Sequence, residues 1–159
     1  MKSLSYILMG VFMLSACDNN RIYEQNSKLS ENAWLIDEKP SFEVELEDTS
    51  SSMNLYVNVR HSAHYPFSNL WLFVNTTLPG GGQERDTLEC VLAAKDGRWL
   101  GSGLGDIWDV QTPFKSTKFK QVGTYVFELE QAMRYGDQAQ IDRLPEIMDV
   151  GIRIERAKD

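Results

Sequence analysis

The chain has 159 residues, 42% of them hydrophobic, and its 16 Lys and Arg stand against 23 Asp and Glu for a formal net charge of −7. That size supports one domain with its own core, since a chain of roughly 150 residues buries about 70% of the surface it exposes unfolded. The acidic balance argues against a nucleic-acid partner, which needs clustered Lys and Arg, and against electrostatic docking on anionic lipid.

The chain starts with one basic residue, Lys2, and an apolar run from Leu4 to Leu14. The run is too short to cross about 30 Å of hydrocarbon and lacks a stop-transfer flank, so residues 1–16 read as a signal peptide. It closes with Leu14-Ser15-Ala16-Cys17, which resembles the lipobox of bacterial lipoproteins. On that reading Cys17 is the lipidation residue: its thiol carries a diacylglycerol, its freed amine a third acyl chain, and the lipid bilayer is the first partner. Two or more chains make such attachment stable without a spanning helix. With Cys17 acylated, Cys90 has no partner within the chain, and its setting in "TLECVLA" suits a small buried hydrophobe. Under ordinary secretion the two cysteines would instead be free to pair.

Residues 17–41 are polar with sparse apolar positions and read as the lipidated cysteine and a tether, with Trp34 and Leu35 as the earliest start of folded structure. The folded domain is expected over 42–159. There the period is two. Phe42, Val44 and Leu46 alternate with glutamates, and Leu55, Val57 and Val59 alternate with Tyr56, Asn58 and Arg60. "NLWLFVNT" (69–76) is apolar on both faces, as expected of a central strand. "PGGG" (79–82) then supplies a turn before "DTLECVLAA" (86–94), so the pair reads as a hairpin.

Residues 123–130 and 149–156 alternate again, and the span 131–146 is the only helix-compatible one, ended by Pro145. Several short strands with almost no helix predict an all-β fold, an antiparallel β-sandwich of jelly-roll or immunoglobulin-like type with at most one short helix.

The stretch "GRWLGSGLGDIWD" (97–109) carries the main chemical question. A phosphate cradle needs a helix opening after the glycines, and "DIWDVQTPF" reads as extended. Asp96, Asp106 and Asp109 offer hard oxygens but not the spacing of an EF-hand, so no metal ligands are assigned there. His61 and His64 lack further ligands and read as structural. The stretch reads chiefly as turns whose glycines allow positive φ or close approach, with tryptophans in the core. As a recognition loop, its candidate binding surface is Trp99, Asp106, Trp108 and Asp109, suited to a glycan. No cofactor, catalytic residue or activated nucleophile is assigned, and the chain reads as a non-enzyme.

Taken with the lipobox, "HYPFSNLWLFV", "DTLECVLAAKDGRWLGSGLGDIWD" and "LPEIMDVGIRIE" resemble the gliding-motility lipoprotein GldH family of the Bacteroidota over most of the mature chain. The resemblance implies a cell-envelope lipoprotein needed for gliding, working with other gliding-machinery lipoproteins and envelope proteins and associated with type IX secretion. It carries no catalytic residues. Asp86-Thr87-Leu88 also resembles the acceptor at which these bacteria O-glycosylate threonine, making Thr87 a modification candidate. Only Asp18 follows the cysteine as an acid in "CDNNRIY", which favours the outer membrane with the domain facing the periplasm. The alternative from another class is a carbohydrate- or peptidoglycan-binding module.

Overall fold

The structure is a computed structural model and describes residues 20–158. Its strands are β1 (Arg21–Lys28), β2 (Ala33–Leu35), β3 (Ser41–Leu46), β4 (Met53–Ser62), β5 (Asn69–Thr77), β6 (Gln83–Val91), β7 (Ser102–Leu104), β8 (Ile107–Thr117), β9 (Gly123–Gln131), β10 (Arg143–Pro145) and β11 (Ile147–Arg156). They form a five-stranded sheet in the order β1-β11-β4-β8-β7, a four-stranded sheet β3-β9-β5-β6, and a small pair β10-β2. Every pairing is antiparallel. The two larger sheets pack as a sandwich, the all-β class that the alternation predicts.

The core follows from that alternation. Val57, Val59, Ile152 and Ile154 point inward from the first sheet; Phe42, Leu72, Val74, Phe127 and Leu129 point inward from the second, all essentially without exposure. The predicted hairpin is present as β5–β6, and its tip closes with Leu78 N donating to Gly82 O at 2.8 Å while Gly81 takes φ +82°. Among the described residues no helix is long and apolar enough to cross a membrane.

Two expectations are corrected. The tether expected across 17–41 does not extend past Asn20, because Arg21–Lys28 is the edge strand β1, paired to β11 from Arg21↔Glu155 to Lys28↔Asp149. Its polarity misleads because an edge strand over a wet face needs few apolar side chains. Beyond it, Trp34 is fully buried and donates its indole N–H to Glu38 O at 2.8 Å. The lipidation residue Cys17 and the signal peptide lie outside the described residues.

The helix-compatible span 131–146 also holds no helix. It turns back at Gly136 (φ +58°) with a bridge between Tyr135 and Gln138, then enters β10. Buried Met133 and Leu144, with partly buried Ile141, pin it to the core; their spacing fits a helical stripe, but the turn at Gly136 breaks the run between them.

Connections fix which loops share an end. Met53 pairs with Thr117 and Arg156, and Arg21 lies beside Glu155. The loops 47–52 and 118–122 join those strands to Leu46 and Gly123, and the β5–β6 loop 78–82 meets Gly123 through Pro79, so all three cluster with residue 20 at one end. The β7–β8 turn and the segments 62–68, 92–101 and 132–142 lie at the other.

Candidate functional site

The glycine stretch is built at that second end. β7 and β8 form a hairpin whose two-residue turn is Gly105-Asp106, with Leu104 opposite Ile107. Gly105 takes φ +62° and Asp106 does not take positive φ, the pattern of a type II′ turn. A Cβ on Gly101 would sit 2.0 Å from the Asp109 carbonyl oxygen, and one on Gly103 would sit 2.7 Å from the Trp108 ring. The glycines therefore serve close backbone and ring approach, as read from the sequence.

The four candidate surface residues do not converge. Strand alternation sends Trp108 and Asp109 to opposite faces of the sheet. Trp108 is half-buried and covers Gly103; Asp109 points outward. Trp99 packs against the core, its ring centroid 4.6 Å from that of His61. Asp106 is exposed on the turn, where its carbonyl accepts from Ala63 N at 2.7 Å. The tryptophans are thus half-buried wall rather than deep core.

His61 is fully buried and His64 exposed, so their spacing brings no shared ligand site. The His61 Nδ1 lies 2.9 Å from Ser62 O, whereas its Nε2 is buried without a hydrogen-bond partner among the described residues. Burial lowers its pKa. Cys90 is buried, and desolvation pushes its thiol up to about 11, which leaves it inert. Among the described residues no group of three or more His, Cys, Asp or Glu is arranged to hold a metal ion.

Asp109 belongs to a polar cleft of about 330 Å³ on the outward face of the five-stranded sheet. Arg60 holds it bidentately, Nε to Oδ1 at 2.7 Å and Nη2 to Oδ2 at 3.1 Å, and reaches Asp149 Oδ2 at 3.3 Å. Asn58 donates to Glu24 at 3.1 Å and accepts from Gln111 at 3.0 Å. Glu24 in turn is bound by Arg21 and Arg153, each at 2.9 Å. Beside it β1 and β11 approach closely at Gly151, where a Cβ would meet Asn26 Oδ1 at 1.9 Å. The acids of this face are neutralised in place.

The outward face of the four-stranded sheet differs. Trp71 is 39% exposed, Tyr135 68% and Val91 48%. Trp71 and Tyr135 line a shallow recess of about 550 Å³ with Phe67, Phe73 and Met133, and it also takes in Thr87. Tyr65, buried, touches Phe67 at 5.7 Å between centroids, and Phe67 touches Tyr135 at 5.9 Å, so the patch continues an aromatic chain out of the core. Arg85 lies 3.9 Å above the Phe73 ring, and Asn69 donates to Glu89 at 2.6 Å on the rim. Thr87 is exposed on β6, opposite Phe73. This patch was missing from the sequence reading of binding residues. Its signal was "NLWLFVNT": a strand apolar on both faces has one face in the core and needs a partner for the other.

Fold and surface define a small all-β domain whose distinguishing feature is an unpartnered aromatic face, without a nucleophile or metal centre among the features just described. The chain matches the family model described as GldH lipoprotein over residues 21–154. It is 34% identical over 157 residues to the gliding motility lipoprotein GldH of Flavobacterium johnsoniae, covering 98% of this chain and 97% of that one. It is also 34% identical over 157 residues to the gliding motility lipoprotein GldH homolog of Christiangramia forsetii, covering 98% and 96%. The chain belongs to the GldH lipoprotein family, and so to the lipid-anchored proteins of the cell envelope.

Proposed function

We propose that this lipoprotein is a non-enzymatic structural or assembly component of the gliding apparatus, working with type IX secretion and with other envelope lipoproteins. Acyl chains on Cys17 hold it in the outer membrane with its domain in the periplasm. The aromatic face around Trp71 and Tyr135 is its contact with protein partners. Likeness along nearly the whole chain to proteins named for gliding motility carries the reading. The absence of chemistry is supported by the committed acids of the polar cleft and the inert Cys90 thiol. Anchoring contributes by raising the effective concentration of binding partners.

Complementation of a deletion strain tests this. Cys17→Ser should give a folded domain that fails to restore spreading; full restoration would contradict the anchored role. Crosslinking from Tyr135, followed by identification of the captured envelope proteins, tests the partner face. Secretion of type IX cargo by the deletion strain tests that association.

A second reading is favoured by the exposed rings beside the Asn69–Glu89 pair, which suit stacking and hydrogen bonding to a sugar. Peptidoglycan pull-down or a glycan array should then show binding that Trp71→Ala removes without unfolding the domain.

A further inference from the structure

We infer that the end of the sandwich carrying loops 78–82 and 118–122 rests directly on the lipid surface, with Lys118 and Lys120 against anionic headgroups and Val122 in the interface. The inference depends on Cys17 being the acylated residue. β1 begins at Arg21, so the chain from Cys17 can reach at most about 14 Å from the sheet, however it runs. That distance keeps the anchored end of the sandwich close to the headgroups. Asn20 is fixed in turn, since its carbonyl accepts from Arg156 N at 2.8 Å.

The surface at this end suits lipid. Lys118 and Lys120 are exposed and have no ion-pair partner among the described residues, unlike Lys115, which binds Glu84 and Asp86. Of the acids at this end, Glu84 in the same cleft is paired with Lys115 and Asp48 in the neighbouring loop with Arg156, which leaves Lys118 and Lys120 as the charges the loop itself presents, and charges within a Debye length of about 8 Å dominate what the headgroups meet. Val122, 60% exposed, stands beside them. A cleft of about 330 Å³, floored by Leu55, Phe119 and Phe127 and rimmed by Glu84 and Lys115, opens between the sheets next to the same lysines. The loop is held in this pose by buried Phe119, which meets Tyr125 edge-on at 4.7 Å between centroids, and by the Tyr125 hydroxyl donating to Gln121 O at 3.0 Å.

The geometry sends the opposite end away from the membrane. β4 spans residues 53–62, so Leu104 on the β7 turn lies about 30 Å from the loops at 3.4 Å per residue. The aromatic recess at Phe67 and Tyr135 is carried with that outer half.

Full-length protein purified from membranes and reconstituted in vesicles of phosphatidylethanolamine and phosphatidylglycerol tests this, with an environment-sensitive fluorophore on Val122→Cys or Leu104→Cys. Nitroxide-labelled phosphatidylcholine should quench the label at 122 and leave the label at 104 unchanged. The doubly substituted Lys118→Glu, Lys120→Glu background should lose quenching at 122 in these vesicles more than in neutral ones. Equal quenching at both positions, or none at 122, overturns the orientation. The mass of the protein and the labelling of the unsubstituted chain report separately on Cys17, because Cys90 is buried. A free Cys17 overturns the anchoring reading itself, and this inference with it.

Discussion

The two sheets turn opposite surfaces to solvent. On the five-stranded sheet Arg60, Asp109, Asp149, Glu24 and Arg153 complete one another, so a partner covering them would have to desolvate charges that already have counterparts. On the four-stranded sheet Trp71, Phe73, Val91 and Tyr135 stand over a strand pair with no layer above them among the described residues, and covering them gains about 25 cal/mol per Å² of apolar surface. The polar face is closed by its own ion pairs; the aromatic face is exposed. Burial depth, rather than residue type, separates the tryptophans here: Trp34 is fully enclosed and Trp71 is 39% exposed.

The sharpest way to break that contrast is to truncate a tryptophan of each kind. Trp34 is fully enclosed and hydrogen-bonded, so Trp34→Ala should cost about 3–5 kcal/mol in urea unfolding. Trp71→Ala should cost no more than about 1 kcal/mol, as at an exposed position. It should nonetheless reduce colony spreading in the complemented deletion strain. Equal stability losses for the two variants would make Trp71 a packing residue and remove the case for a partner face.

Gly151→Ala probes how the polar face is closed. The added Cβ would meet Asn26 Oδ1 at 1.9 Å and the Gln25 carbonyl at 2.4 Å, so edge strand β1 has to move off β11. A loss of about 2–3 kcal/mol is expected, within the usual range for overpacking. Proteolysis should become faster within 21–28. An unchanged urea midpoint would show that β1 is held loosely, which would also lengthen the reach from the anchor.

Most of the sandwich was legible in the sequence because alternating strands over a buried face write their period into it. Phe42 to Leu46, Leu55 to Val59 and Val150 to Ile154 all lie as the alternation predicts. β1 was not legible, since an edge strand on a wet face takes its stability from backbone pairing with β11 and leaves no hydrophobic period. Nor was the route of 131–142, which is set by where Met133 and Ile141 find cover. For the binding surface, the roles of Gly101, Gly103 and Gly105 were readable from residue type. The spread of Trp99, Asp106, Trp108 and Asp109 was not, because strand alternation and turn geometry separate residues that are adjacent in sequence. Thr87 was readable as exposed, but its place beside the aromatic recess depends on β5–β6 register.

A smaller effect should come with pH. Burial holds the His61 imidazole below its ordinary value of 6.5, so the unfolded chain takes up the proton first as pH falls. Its contribution to stability is full above 6.5 and declines as pH drops from there toward its folded value. The carboxylates of Glu24 and Glu130, held low in spite of burial by hydrogen bonds and arginine partners, lose their contribution only below their ordinary 4.5. Urea midpoints measured down to that range should therefore slope in the native protein and flatten in His61→Phe, which keeps a ring against Trp99. A slope unchanged in the variant would assign it to another group.

The smallest effect tests the polar face most directly. Arg60, Asp109 and Asp149 have side chains 47%, 52% and 20% exposed, so water screens much of their attraction despite the bidentate geometry. Arg60→Ala should cost about 0.5–1 kcal/mol. The loss should shrink in salt as the screening length falls from about 10 Å at 0.1 M to about 3 Å at 1 M. Spreading should be unaffected, because nothing associative is assigned to this face. If instead the variant stays folded and the cells stop spreading, the paired charges are themselves the recognition surface. The aromatic recess would then have to be explained as packing for some other part of the envelope.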